Sequence, residues 1–302
     1  MEKIVFYSEE NGIRIDAWLS NKVSDLSRSY IQKLLKDKNV LVNGNAVKPN
    51  YKIAEGDSII LNIPDQKDPE IVAEDIKIQV LYEDEDILVV NKQKGMVVHP
   101  AAGNYSGTLV NALMAHCGEN LSDINGVMRL GIVHRIDKDT SGILVVAKNN
   151  KAHEILSEKL KNYEIKRVYE TVVHGVVRED FGKIDAPIGR HPVHRKKMAV
   201  DTKNGKRAVT HFKVIERFKE ATYIEATLET GRTHQIRVHM SYIGYPIIGD
   251  GVYGRKNEKY SLEGQALHAK VLGFVHPSKN EYMEFEAPLP NYFNELLKKI
   301  SN

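Results

Sequence analysis

An α+β protein with a central mixed or antiparallel sheet flanked by helices, plus a small N-terminal module, is predicted by three features of the sequence. Strand-like apolar runs are numerous after residue 76, and few helical stretches cross between them. A break rich in proline and charge falls near residues 63–70. Ahead of that break, one amphipathic stretch leads into a tight Asn-Gly turn.

In the N-terminal module, Tyr30, Ile31, Leu34 and Leu35 form one stripe of a helix over residues 24–38, with Ser27 placed to cap it. Val40, Leu41 and Val42, then Asn43-Gly44, then Asn45, Ala46 and Val47 spell a hairpin, because Asn-Gly suits a type I′ turn. A turn at Glu55-Gly56-Asp57 precedes a further strand over 58–63. The expected division is a module over 1–64, a linker over 65–75 containing Pro69, and a second domain over 76–302. In that domain, strands are expected over 87–90, 131–133, 143–147, 171–173 and 223–228. Helices are expected over 108–116 and 151–161, the latter with Ile155, Leu156 and Leu160 as its apolar stripe.

Bulk properties narrow the class. At 302 residues the chain is long enough for two domains, and 42% hydrophobic with 27% charged residues argues against wholesale disorder. A single cysteine, Cys117, excludes an internal disulfide framework and a multi-cysteine metal site. The first residues lack a sustained apolar core of the secretory kind, and no apolar run approaches a membrane span, so a cytoplasmic protein with no membrane partner is expected. The formal charge of +3 decides nothing by itself; its clustering matters more.

The run His134-Arg135-Ile136-Asp137-Lys138-Asp139-Thr140-Ser141-Gly142 sets a carboxylate among cations directly before the strand over 143–147. An unpaired buried charge costs several kcal/mol, so such massing beside a core strand suits chemistry better than folding alone. Downstream come Lys166-Arg167-Val168-Tyr169, with Val173 and Gly175 at set spacing, and then Thr230-Gly231-Arg232-Thr233-His234-Gln235-Ile236-Arg237-Val238-His239. His234 and His239 invite a metal reading, yet they lie five apart with no carboxylate between them, which suits structural histidines better. Phosphate-binding glycine loops of the G-x-G-x-x-G and G-x-x-x-x-G-K-[ST] kinds are missing. Upstream, Asn91-Lys92-Gln93-Lys94-Gly95 leads to Val98-His99-Pro100. The densest basic patch is Arg190 to Met198, followed by Lys203, Lys206 and Arg207.

These segments, in this order, resemble the RluA/RluD-type RNA pseudouridine synthases, whose patterns are H-R-L-D-x-x-T-S-G, K-x-Y-x-x-x-V-x-G, T-G-R-T/S-H-Q-[IL]-R-V-H and N-K-P-x-G-x-x-V-H-P. Arg14, Asp16, Leu19, Ser27, Arg28, Val42-Asn43-Gly44 and Gly56-Asp57 fall where the S4 RNA-binding domain (α-L type) has its signature residues. The resemblance implies Asp137 as nucleophile, Arg237 as the cation that orients it and keeps it ionised, and Tyr169 stacking on the base or taking the C5 proton. It implies that Arg135 fills the space left by a flipped nucleotide, with His134, Thr140, Ser141, Asn91, Lys92, Lys166, Arg232 and Gln235 around the substrate. In the S4 module it implies phosphate contacts from Arg14, Arg28, Lys33 and Lys36, and the basic patch from Arg190 would clamp RNA backbone.

Within the family, Gly107-Thr108-Leu109-Val110-Asn111 and Gly126-Val127-Met128-Arg129 look most like the RluD branch. That implies large-subunit ribosomal RNA as partner, with the helix 69 stem-loop as target, a monomer, no cofactor and no metal. Gln93 and Leu130 stand where the family usually has proline, which should loosen two turns without removing a reactive group. Attack at C1′ or at C6 stays open. The rival readings are a non-catalytic RNA chaperone or assembly factor, which would not require Asp137, Tyr169 and Arg237 together, and a metal-dependent hydrolase built on the histidines.

Overall fold

The computed structural model describes residues 2–23, 26–64, 71–100, 104–194, 197–260 and 262–301. The chain divides into two units, Met1–Glu70 and Ile71–Asn302.

In the first unit, strands β1 (Glu2–Tyr7), β2 (Val40–Val42), β3 (Asn45–Ala46) and β4 (Ser58–Ile63) form one antiparallel sheet in the order β1-β4-β2-β3. Two helices, α1 (Ile15–Lys22) and α2 (Arg28–Lys36), accompany it. The core joins Ile15, Trp18 and Leu19 of α1 to Ile31, Leu34 and Leu35 of α2 and to Val40, Val42, Ile59 and Leu61. Asn43 and Gly44 both have positive φ, at 49° and 81°, as a type I′ turn requires. The second helix starts at Arg28 rather than at residue 24, because the Ser27 side chain accepts the Tyr30 amide at 3.3 Å and ends the non-helical approach there. Ser24 and Asp25 lie outside the described residues. The short α1 was not expected; eight residues with a mixed pattern give little periodicity to read.

In the second unit, a nine-stranded mixed sheet is built from β5 (Gln79–Glu83), β6 (Ile87–Lys92), β7 (Ser141–Ala147), β8 (Lys166–His174), β9 (Phe181–Asp185), β12 (Val209–Arg217), β13 (Ala221–Leu228), β14 (Leu267–Val275) and β15 (Tyr282–Glu286). Its order is β5-β6-β7-β14-β8-β13-β12-β9, with β15 also on β14. The β7–β14 pairing is parallel and the others are antiparallel. A separate hairpin joins β10 (Ile188–Arg190) to β11 (Met198–Val200). The helices are α3 (Leu109–Cys117), α4 (Asn150–Lys161), α5 (Gln235–Tyr242) and α6 (Asn291–Ser301). Capping fixes where two of them begin. Thr108 and Asn111 form a reciprocal capping box for α3, and the Asn149 side chain accepts the Ala152 amide at 2.9 Å for α4.

Every residue of β7 is buried, so the site-bearing segment before it is anchored in core. Gly142, with φ at +115°, lets β7 approach β14, since a Cβ there would overlap the Ala269 backbone.

Two expectations are corrected. Residues 131–133 are not a strand but a turn that makes one isolated bridge, Ile132 with Val146, after a 3-10 turn over Val127–Arg129. Residues 71–75, expected in a linker over 65–75, belong to the second unit. Ile71 is in its core, the Val72 carbonyl accepts from Asn111 Nδ2 at 2.8 Å, and the Glu74 carboxylate accepts the Gly107 amide at 3.0 Å. The rest of that linker, 65–70, lies outside the described residues. Among the described residues no helix is long and apolar enough to cross a membrane.

Candidate active site

Asp137 sits in a turn four residues before β7, and its carbonyl accepts the Thr140 amide at 3.1 Å. Its partner comes from the far side of the sequence. Gln235 ties the loop ahead of α5 into a fixed shape, because its Oε1 accepts from Thr230 and from the Arg232 amide, while its Nε2 donates to the Val209 carbonyl. His234 then takes a left-handed backbone, φ 57°, as the residue ahead of the helix. One turn on, Arg237 donates Nη1 to Asp137 at 2.8 Å and Nε and Nη2 to Asp250 at 2.7 and 2.9 Å.

Arg237 therefore bridges two carboxylates. Burial works against its charge, yet Asp250 and Asp137 raise its pKa above the ordinary arginine value. Burial likewise works against the Asp250 carboxylate, and Arg237 with the Tyr253 and Val252 amides holds it below the usual range. Asp250 is fully enclosed, whereas one-fifth of the Asp137 side chain remains open. His234 Nε2 stands 3.7 Å from the other Asp137 oxygen, and His234 Nδ1 shares a hydrogen bond with the Tyr253 hydroxyl at 2.8 Å. The Tyr253 ring lies 5.1 Å from the Arg237 guanidinium and closes this group.

A cavity of about 460 Å³ opens onto Asp137, within the usual span of ligand pockets. Tyr169 lines it, and its hydroxyl makes no hydrogen bond among the described residues; burial raises its phenol pKa. His134, Arg135, Thr140, Arg232, Gln235 and Arg237 line it too. Burial pushes the His134 ring down to about 3, and its neutral Nε2 accepts the Val145 amide at 3.1 Å. Arg135 is exposed and donates Nη1 to His99 Nε2 at 3.2 Å; burial holds His99 neutral, near pKa 4.

Four residues expected around a substrate do not line this cavity. Ser141 is buried and shares hydrogen bonds with His268 and Tyr292. Asn91 donates to Gln79. Lys92 is 2% exposed, and its ammonium donates to the Gln93, Met96 and Lys138 carbonyls, so it pins the turn where Gln93 replaces proline to the segment beside Asp137. Lys166 points to Glu284 on an exposed surface, because strand alternation puts residues 167 and 169 on one face and 166 on the other. Of these two neighbours, it is Arg167 that lines the cavity. Gln235 lines the cavity, yet its amide is consumed in holding the loop.

Sequence reasoning missed Asp250, Tyr253 and Arg167. The first two belong to Gly249-Asp250-Gly251-Val252-Tyr253-Gly254, where a carboxylate set among glycines was the available signal. The His234–His239 pair is not a metal site. His239 donates Nε2 to the Ala186 carbonyl and shares Nδ1 with Thr210, so both ring nitrogens are occupied.

In the first unit, Arg14 and Arg28 both grip the buried Asp16, at 3.0 and 3.1 Å, with about half of each side chain exposed. Burial opposes the Asp16 charge, but Arg14, Gln32 and Arg28 hold its pKa well below the carboxylate range. Lys33 and Lys36 are exposed. In the basic patch, Lys197 donates to the Val252 carbonyl at 2.7 Å and Arg207 pairs with Glu229. Arg195 and Lys196 lie outside the described residues.

The sequence model of the RNA pseudouridylate synthase family matches residues 86–242, and that of the S4 domain matches 13–59. An uncharacterized RNA pseudouridine synthase of Bacillus subtilis, YlyB, is 55% identical over 97% of this chain and 95% of its own length. The ribosomal large subunit pseudouridine synthase D of Zymomonas mobilis is 44% identical over 99% of this chain and 97% of its own. Among solved structures, human RNA pseudouridylate synthase domain containing 1 superposes with a TM-score of 0.60 at 25% identity, over 74% of this chain and 89% of that one. The chain belongs to the RNA pseudouridylate synthase family of isomerases and carries an S4 domain ahead of the synthase region.

Proposed function

We propose that this protein converts uridine to pseudouridine in large-subunit ribosomal RNA, in the helix 69 stem-loop, with Asp137 as the nucleophile. The observation that carries the reading is Asp137 held at 2.8 Å by Arg237 at the mouth of a cavity walled by Tyr169. Relatives named ribosomal large subunit pseudouridine synthase D match nearly the whole chain in Zymomonas mobilis and Pseudomonas aeruginosa, which supports the choice of RNA.

The chemistry follows from the groups present. The N1–C1′ bond of uridine breaks, the base turns, C5 joins C1′, and C5 gives up its proton while N1 gains one. No atom is added and no redox change occurs. Asp137 needs to be held still, and Arg237 does so through the 2.8 Å hydrogen bond. Tyr169 stacks on the base, with its hydroxyl available for the C5 proton. A base inside a helix has to be extruded at a cost of a few kcal/mol, and Arg135, exposed at the cavity, fills the gap. His134, Thr140 and Arg232 line the path of the nucleotide. Arg14, Arg28, Lys33 and Lys36 of the S4 unit hold RNA phosphates, where affinity is chiefly charge neutralisation. The protein works as a cytoplasmic monomer.

The test is pseudouridine mapping of large-subunit rRNA in cells lacking the gene, complemented with wild type or with Asp137→Asn. Helix 69 sites should vanish and return with wild type alone. If they persist in the deleted strain, the helix 69 assignment fails, and if no large-subunit site is lost the rRNA assignment fails with it; if Asp137→Asn restores them, the nucleophile assignment fails.

A further inference from the structure

Arg167 stands two residues before Tyr169 on β8 and is 7% exposed. Among the described residues its Nε has no hydrogen-bond partner, and Nη2 reaches the Glu229 carbonyl at a long 3.4 Å. The Glu229 carboxylate is turned to Arg207 and His211 instead. A guanidinium does not lose its proton in a protein, so among the described residues this is a buried cation without a counter-charge, an unfavourable arrangement in the free protein.

The chain makes room for it. A Cβ on Gly231 would overlap Arg167 Nη1, so the glycine admits the guanidinium to the wall of the cavity. A second donor lines the same cavity. Because His134 Nε2 accepts the Val145 amide, the ring proton sits on Nδ1, and that N–H makes no hydrogen bond among the described residues. Two residues with unspent donors, one of them charged, thus line a cavity of about 460 Å³ together with Tyr169.

We propose that Arg167, with the Nδ1–H of His134, forms a subsite for an anionic oxygen of the target nucleotide. The oxygen belongs either to a phosphodiester or to the uracil ring, which holds the bonding pair as negative charge once N1–C1′ has broken and releases it when C5 joins C1′. This rests on the reading that the cavity receives the flipped uridine. The free protein tolerates the unpaired cation because the substrate completes it.

The experiment compares wild type, Arg167→Met and Arg167→Lys in thermal unfolding and in pseudouridine formation. Total RNA from cells lacking the gene serves as substrate, since it contains the target whichever RNA that is. Arg167→Met should keep or raise Tm, because a methionine suits the buried position better than an uncompensated charge. It should lower kcat/KM by about a hundredfold, and Arg167→Lys should recover part of that. A phosphodiester contact shows as a KM effect, with the slope of log KM against log salt reduced by about 0.7–0.9. A ring-oxygen contact shows as a kcat effect with the slope unchanged. A fall in Tm for Arg167→Met, or a rate within twofold of wild type, overturns the subsite. Full activity in Asp137→Asn would instead overturn the underlying reading, so the two failures are distinct.

Discussion

Replacing Arg237 with methionine tests the centre of the site. The substitution removes three hydrogen bonds, of 2.7 and 2.9 Å to Asp250 and 2.8 Å to Asp137. Asp250 is then a carboxylate with no solvent exposure and two backbone amides, those of Val252 and Tyr253, as its remaining donors. Breaking a buried pair from one side costs about 3–5 kcal/mol, chiefly through the stranded charge. Asp137 adds less, because one-fifth of its side chain is open and water replaces the lost donor. Urea unfolding should thus show Arg237→Met destabilised by about 3–5 kcal/mol. Adding Asp250→Asn removes the stranded charge and keeps the carbonyl oxygen that the two amides need. The double variant should recover all but about 1–2 kcal/mol. Pseudouridine formation should stay at least about a hundredfold down in both, since Asp137 has then lost the 2.8 Å hydrogen bond that positions it. A loss below about 1 kcal/mol in the single variant would refute the charge argument. Recovery of activity in the double variant would refute the claim that Arg237 acts by holding Asp137.

Three other perturbations probe the frame. Gly142→Ala should cost at least about 3 kcal/mol, because φ at +115° and the Ala269 backbone both exclude a Cβ; a Tm within a few degrees of wild type would contradict the close β7–β14 approach. Burial holds His99 near 4 and His134 near 3, whereas both titrate near 6.5 when unfolded. Between those values the unfolded chain binds more protons, so this stability is complete above about pH 6.5 and lost as pH falls towards 4 and 3, on the order of a few kcal/mol together. His134→Gln should flatten the pH dependence of unfolding, and an unchanged slope would remove His134 from the account. Asp16→Asn should release Arg14 and Arg28 and destabilise the first unit by about 1–3 kcal/mol. Faster amide exchange over Ile15–Lys22 and Arg28–Lys36 would register it, and unchanged exchange would mean the clamp is not structural.

Local pattern carried the parts of the fold that rest on local physics. Ser27 ended the approach to its helix, Asn43-Gly44 formed the hairpin turn, and the apolar run over 143–147 became a fully buried strand, because caps, positive φ and side-chain period act over a few residues. The order of the motifs was also enough to nominate Asp137, Tyr169 and Arg237. Partners that meet across the sheet were beyond it. Asp137 and Arg237 are 100 residues apart, and they touch because β7 and α5 place their ends at one cavity. Asp250 follows Arg237 by 13 residues and showed only as a carboxylate among glycines. Lys166 and Arg167 are adjacent and alike in composition, and the pleat of β8 alone sends one to Glu284 and the other to the cavity. Ser141 and Lys92 carry groups suited to a substrate, and burial turned both to internal hydrogen bonds. A sequence states which polar groups exist; their destinations depend on which strands pair and how much water is left beside them.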